Sequence, residues 1–459
     1  MKRKTLLLVL TVCLFLSSLA TAQTSDSLSL PSDTLNKKKE KIKKGWSFGA
    51  VPAIAYDSDI GFKYGAVVNF YDYGDGTIYP DYKHSLYFEW SNTTKNSGIN
   101  QFTYDSKYLI PGIRVSTEAS YLTERAMDFY GYNGYEAYYN NIYEDDSPSN
   151  DDYISRQYYR QERKLLRLRA DFQGRFFTNH SRWLAGITHY TVRSDTIDVV
   201  RLNKNKDPEE MLPETIDGGL YGQYAYLWNV IPVDQVNGGS TTLLKGGLVF
   251  DTRDNEPNPM KGIWTEAVFF WAPVFLGNGD YSFAKISLVH RQYLTLITDR
   301  LSFVYRLGYQ GKLWGTMPSY MLPFVLNGGF SMDRDGLGGA KTIRGIQRNR
   351  IVGEDFLYGN LELRWKFLKT VILKQNIYLA LSTFTDFGLI TGKYEINTSN
   401  VPSEYLSLFP DDEEKLHISY GAGLHIALNQ NFVVAFDYGL VADARDGKSG
   451  LYIGLNWLF

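Results

Sequence analysis

The chain has 459 residues, of which 21% are charged, 15% are aromatic and 35 are tyrosine, and its formal net charge is −2. So many rings exceed what a small water-soluble core hides, whereas Tyr and Trp suit a membrane interface, where a ring is half apolar and half wet. A charge this close to zero argues against nucleic acid as a partner.

The chain opens with Lys2, Arg3 and Lys4, an apolar run over 6–19 and the small residues Ala20-Thr21-Ala22 ahead of Gln23. This is the pattern of a secretory signal peptide, expected over 1–22. The apolar run is about fourteen residues, short of the roughly twenty that a spanning helix needs. Loss of its three basic residues would take the net charge from −2 to −5. The single cysteine, Cys13, lies inside this segment, so the mature chain is expected to carry neither a disulfide nor a lipid-modified cysteine. Residues 23–45, rich in Ser, Asp and Thr and basic over 37–44, read as a flexible periplasmic lead.

From Trp46 onward the pattern predicts sixteen strands: 46–57, 60–72, 82–92, 99–109, 112–123, 159–175, 181–194, 241–252, 261–272, 281–297, 300–311, 355–367, 375–387, 415–428, 431–440 and 449–459. In the eleventh, Leu301, Phe303, Tyr305, Leu307 and Tyr309 oppose Ser302, Val304, Arg306, Gly308 and Gln310. In the twelfth, Leu361, Leu363, Trp365 and Phe367 oppose Asn360, Glu362, Arg364 and Lys366. Charges on one face of strands otherwise this apolar call for lipid outside and a hydrated lumen inside. The last strand places Leu451, Ile453, Leu455, Trp457 and Phe459 on one face, as a barrel-closing strand would.

Long insertions at 124–158, 195–240, 312–354 and 388–414 all follow odd-numbered strands, and short turns such as Thr298-Asp299 and Asn429-Gln430 follow even ones. Long outer loops with short periplasmic turns are the rule for outer-membrane barrels. The expected fold is therefore a sixteen-stranded antiparallel transmembrane β-barrel over 46–459, in the lipid of a Gram-negative outer membrane. A soluble sandwich is the competing architecture; a propeller would need a repeat of roughly forty to fifty residues, and none is visible.

Two places carry functional hints. The first strand contains Gly49 and Pro52, and proline lacks the N–H a ladder needs, so pairing of the first and last strands is expected to be incomplete there. The glycine-rich loop 312–354 holds Thr342-Ile343-Arg344-Gly345-Ile346. A guanidinium keeps its charge, so if it folds into the lumen it needs a carboxylate. Asp386, in Phe384-Thr385-Asp386-Phe387-Gly388 on the thirteenth strand, is the natural candidate.

An R-G-aliphatic tripeptide in the sixth outer loop followed by F-x-D-x-G resembles the BamA/TamA superfamily (the bacterial surface antigen family) of outer-membrane assembly factors and two-partner secretion pores. Asp251-Thr252-Arg253-Asp254 through Pro259-Met260-Lys261-Gly262, and Phe129-Tyr130-Gly131, add to the likeness, which covers nearly all of 46–459. The resemblance implies that Arg344 meets Asp386 inside the barrel, with Gly345, Ile346, Phe384 and Gly388 around them. The tripeptide ends here in Ile346, where an aromatic residue is commoner. Members usually carry periplasmic POTRA domains of about seventy-five residues each. Residues 23–44 are too few for one, so that part is expected to be missing or to be supplied by a separate periplasmic or lipoprotein partner.

No enzyme is expected. The six histidines show no metal spacing, no Ser lies in a G-x-S-x-G setting, and no cofactor is implied. The acidic runs at 144–146 and 411–414 read as solvated loop charges rather than calcium ligands. The functional expectation is aid to insertion or export of proteins or lipids, with outer-membrane proteins as clients. The alternative is a passive or plugged pore, or a structural barrel without assembly activity.

Overall fold

A computed structural model describes residues 43–459 apart from 58–60, 80, 96, 205, 215, 257, 329–334, 373–374, 411–412 and 429–431. The expected signal segment, residues 23–42 of the expected lead, Gly329, Asp411-Asp412 and the expected turn Asn429-Gln430 lie outside the described residues.

The chain forms one closed antiparallel sheet of sixteen strands. The first, β1, comes in two pieces, Trp46–Pro52 and Ala55–Asp57. It is followed by β2 (Gly61–Asp72), β3 (His84–Thr93), β4 (Gly98–Ile110), β5 (Ile113–Asp128) and β6 (Arg160–Phe176). Next come β7 (Thr178–Asp195), β8 (Gly239–Asp251), β9 (Gly262–Ala272), β10 (Phe283–Ile297) and β11 (Leu301–Gly315). The circle is completed by β12 (Asp355–Ile372), β13 (Gln375–Gly392), β14 (His417–Leu428), β15 (Phe432–Val441) and β16 (Ser449–Leu455). All sixteen expected strands are present; β5, β11 and β13 run beyond their expected outer ends, so the wall rises past the apolar band there, and β12 runs beyond its expected periplasmic end.

The wall is two-faced, as the alternation requires. Leu361, Leu363, Trp365 and Phe367 are exposed on the outside of β12, while Glu362 and Arg364 between them are buried inside. Lipid offers no hydrogen bonds, so a spanning sheet must pair its backbone around a closed ring, and the outward side chains must be apolar. No helix among the described residues is long and apolar enough to cross a membrane.

The long connections leave one rim and fold over it as a dome. Its core gathers Phe129, Tyr130, Tyr132, Tyr158, Tyr159, Tyr221, Tyr224 and Trp228. The abundant tyrosines are thus not only interfacial residues, because this group is buried in a loop core with its hydroxyls finding partners. Tyr221 donates to the Val236 carbonyl at 2.6 Å and Tyr158 to Gln223 at 3.1 Å. In the Phe129-Tyr130-Gly131 motif, Gly131 has φ +89° and lies so close to the Tyr224 hydroxyl that a Cβ would sit 2.6 Å from it.

The last strand departs from expectation. β16 stops at Leu455; Asn456 adopts φ +68°, and the next residues turn inward. Leu455 stays on the outer face, 56% exposed, but Trp457 and Phe459 are buried. Trp457 stacks on His425 with ring centroids 3.7 Å apart, and the Arg364 guanidinium lies 4.3 Å from its centroid. Arg364 also donates to the Phe459 carbonyl at 3.1 Å. Alternation alone puts these rings in lipid. The left-handed turn at Asn456 breaks the period of two, and lumenal cations then offer the rings a better surface.

Candidate functional site: the lumenal loop and the strand seam

The described residues of the loop 316–354 descend inside the barrel and form two packed layers. Ile343, Ile346 and Ile351 are fully or almost fully buried and pack with Val325, Leu337, Phe356, Tyr358 and Ile390. This apolar layer anchors the loop to the inner wall at β12 and β13 and holds Arg344 beside them.

Arg344 is 1% exposed. Its Nε donates to Asp386 Oδ2 at 2.9 Å and its Nη2 to Asp386 Oδ1 at 3.0 Å, a bidentate pair. Its backbone N–H donates to Asp386 Oδ2 as well, at 3.0 Å. Nη2 also reaches Glu362 on β12 at 3.2 Å, and Nη1 lies 3.5 Å from Asp437 on β15. The guanidinium carbon sits 3.5 Å from the centroid of the Phe384 ring. Burial alone would lower the Arg344 pKa; Asp386 and Glu362 outweigh it and hold the group above its ordinary value.

Three glycines make this approach possible. Gly345 has φ +95°, a conformation side chains disfavour, and a Cβ there would meet the Gly439 carbonyl carbon at 2.8 Å. A Cβ on Gly439, on β15, would in turn meet the Arg344 carbonyl oxygen at 2.7 Å, and one on Gly388 would meet Ile343 Cδ1 at 2.5 Å. The Gly345 N–H donates to the Tyr452 hydroxyl of β16 at 3.1 Å. The loop therefore touches β12, β13, β15 and β16 through four consecutive residues.

The structure thus brings Arg344, Gly345, Ile346, Phe384, Asp386 and Gly388 together. Residues that sequence reasoning passed over complete the arrangement. Glu362 and Asp437 are further carboxylates, and Glu362 was legible as an inward residue by parity. Arg348 pairs with Glu124 of β5 and with Asp335 at 2.7 Å, and Arg163 of β6 joins Glu124 at 2.6 Å. Arg350 donates to the carbonyls of Gly134 at 2.8 Å, Ala137 at 3.0 Å and Arg445 at 2.7 Å. Three arginines within seven residues (344, 348 and 350) were the signal available, each now fixing the loop to a different part of the barrel.

The dome has its own polar joint. His417 Nδ1 lies 2.6 Å from Asp446, its Nε2 lies 3.2 Å from Glu414, and its ring stacks at 3.9 Å on Tyr135. The acidic run at 144–146 is occupied locally: Glu144 lies 3.2 Å from Arg160, Asp145 accepts from Ser147 Oγ at 2.6 Å, and Asp146 lies 3.4 Å from Arg156. Among the described residues no group of His, Cys, Asp and Glu is placed to hold a metal ion. At the periplasmic turn, Arg253 donates to Asp251 at 2.9 Å and packs 4.4 Å from the Trp264 ring centroid, while Asp254 accepts from the Met260 N–H at 3.0 Å.

The seam between β1 and β16 is short. Among the described residues it registers only Tyr452 with Asp57 and Ile453 with Tyr56. On its other side β16 registers seven residues with β15, from Leu440↔Ser449 to Val434↔Leu455. Among the described residues the piece Trp46–Pro52, with Gly49 and Pro52, pairs with β2 alone. Trp46 and Phe48 on it are 58% and 73% exposed. The ladder breaks after Pro52 at Ala53-Ile54, and the inward turn of Asn456 removes the strand that would otherwise lie alongside.

A sixteen-stranded outer-membrane barrel with an inserted, arginine-anchored loop and a thinly paired seam is the class of protein this geometry defines. The Omp85 superfamily domain matches residues 82–457, and the chain belongs to that superfamily. Strands β1 and β2 precede the matched range. The fold is similar to that of BamA from Haemophilus ducreyi lacking POTRA domains 1–3, at 14% identity and a TM-score of 0.52, covering 90% of this chain and 71% of that one. It is similar also to CdiB from Escherichia coli, at 12% identity and a TM-score of 0.51, covering 90% of this chain and 62% of that one. A comparison with curated proteins finds no match.

Proposed function

We propose that this barrel aids the insertion or export of proteins, or of lipids, at the outer membrane by parting β1 from β16. The observation that carries this reading is the seam, with two registered residue pairs among the described residues against seven on the far side of β16. A strand edge left unpaired is a template for an incoming strand, and Trp46–Pro52 offers such an edge at the periplasmic end of the wall. Arg344 and its carboxylates would brace the lumen while the seam moves, because the loop holds β12 and β13 by charge and touches β16 through one hydrogen bond to Tyr452. The clients would be other outer-membrane or exported proteins, presented by a periplasmic or lipoprotein partner. Nothing in this reading requires bond chemistry or a cofactor from the barrel.

The test is a lock. With no cysteine expected in the mature chain, Tyr56→Cys with Ile453→Cys places a pair across the seam, and Ala50→Cys with Val68→Cys places a control pair across β1 and β2. Oxidation of the seam pair should halt client assembly in cells and reduction should restore it, while the control pair should have no effect. Full assembly with the seam oxidised would refute the reading.

A passive, plugged barrel is the second reading, favoured by the loop and dome that fill the lumen. It calls for normal client assembly with the seam locked, and for low conductance that rises when the loop is removed.

A further inference from the structure

The outer wall of β2–β6 carries a concavity of about 480 Å³. Two registered rows form it: Ala66, Trp90, Asn100 and Tyr121 across β2 to β5, and Val68, Phe88, Phe102 and Ala119 directly below. The short positions Ala66, Val68, Asn100 and Ala119 leave the hollow, and the four rings stand around it, Phe88 and Phe102 with centroids 5.0 Å apart. Successive outward positions on β12, across the barrel, are by contrast all large: Leu361, Leu363, Trp365 and Phe367.

The place of the hollow says what covers it. It opens on the lipid-facing side and continues the apolar band that the outer membrane must cover, so its surroundings are acyl chains rather than water. Its volume is within the range of small-molecule sites, roughly 300–1,000 Å³. It also lies toward the outer leaflet, since Asn100 is two residues from Gly98, where β4 begins at the loop-bearing rim. Asn100 is exposed on this lipid-facing side, and its side chain makes no hydrogen bond among the described residues. A polar amide facing lipid is costly unless it finds a partner. The linkage carbonyl at the head of an acyl chain is such a partner, at the depth where Trp90 and Tyr121 also favour the interface.

We propose that this concavity is a binding site for one acyl chain of an outer-leaflet lipid, with the Asn100 amide donating to the carbonyl at the chain's head. The site holds a lipid in a fixed place on the wall beside β1, where bulk lipid would exchange freely. Filling the hollow from the lipid side leaves the lumen untouched, so Ala119→Phe and Ala66→Phe should abolish the site without disturbing the fold. Leu363→Phe places the same ring on the opposite wall and serves as control.

The full-length protein would be placed in phosphatidylethanolamine nanodiscs doped with a phospholipid carrying a diazirine on one acyl chain, and the labelled residues mapped by mass spectrometry. The expected result is labelling concentrated at Trp90, Asn100 and Phe102 in the wild type and in Leu363→Phe. It should fall by about tenfold in the filled variants, a loss of roughly 1.4 kcal/mol in binding. Folding of each variant is checked by heat-modified gel mobility. Even labelling around the wild-type wall, or unchanged labelling in folded Ala119→Phe, overturns the proposal. So does a photoreactive residue at position 119 that captures protein rather than lipid in cells.

Discussion

Replacing Arg344 by alanine removes three side-chain hydrogen bonds, two to Asp386 and one to Glu362, and leaves both carboxylates inside the barrel. Each retains one other partner: Asp386 keeps the backbone N–H of residue 344, and Glu362 keeps Arg364 at 3.1 Å. A hydrogen bond to a charged group contributes about 1.5–3 kcal/mol, and breaking a buried pair from one side costs about 3–5 kcal/mol. The larger range applies here, because Asp386 is 0% and Glu362 1% exposed, so water cannot replace the guanidinium without entering the packed layer. Asp386→Asn should cost less, since an amide still accepts from Arg344 and needs no counter-charge. The double variant should be less damaged than the sum of the two single ones, by about 2 kcal/mol or more, as expected for groups in direct contact. The assay is urea unfolding in detergent micelles, followed by the shift between compact and unfolded bands on a gel. An unchanged midpoint for Arg344→Ala, or strict additivity in the double variant, would refute the claim that this contact holds the loop.

The remaining expectations use the same readout or a simple extension of it. Gly345→Ala must adopt φ +95° and press on Gly439, so it should cost about 1–3 kcal/mol even though every charge is kept. Trp457→Ala strips the stack on His425 and the Arg364 contact and should cost about 3–5 kcal/mol; a midpoint equal to wild type would place this ring outside the lumen. Deleting 335–350 should raise single-channel conductance in planar bilayers from a low level, and a high conductance in the intact protein would contradict the filled lumen. Arg348→Ala should destabilise the loop independently of Asp386→Asn, because its partners are Glu124 of β5 and Asp335 of the loop itself, neither of which contacts Arg344. Coupling between these two variants as strong as that between Arg344 and Asp386 would show that the loop moves as one body.

The sequence alone determined the barrel. A lipid outside and water inside force a period of two on every strand, so sixteen strands, their order and the side with long loops follow from local pattern. Leu361 and Glu362 show this best: adjacent residues with opposite solvents, decided by parity. Arg344 and Asp386 were legible for a related reason, since a permanent charge in an apolar setting requires a carboxylate and the Phe384-Thr385-Asp386-Phe387-Gly388 stretch offered one on an inward face. What local pattern does not contain is distance between segments far apart in the chain. Glu362, Asp437 and Gly439 join the Arg344 site only because β12, β13 and β15 curve around the same loop. Tyrosines read as interfacial pack instead into the dome, where loops hundreds of residues apart supply the apolar surface and hydroxyl partners. The turn at Asn456, which takes Trp457 and Phe459 from the lipid side to the lumen, depends on Arg364 and His425 waiting inside. Seam length was decided there as well: Pro52 hinted at weak pairing, but only the inward turn of β16 leaves Trp46–Pro52 with a single neighbour.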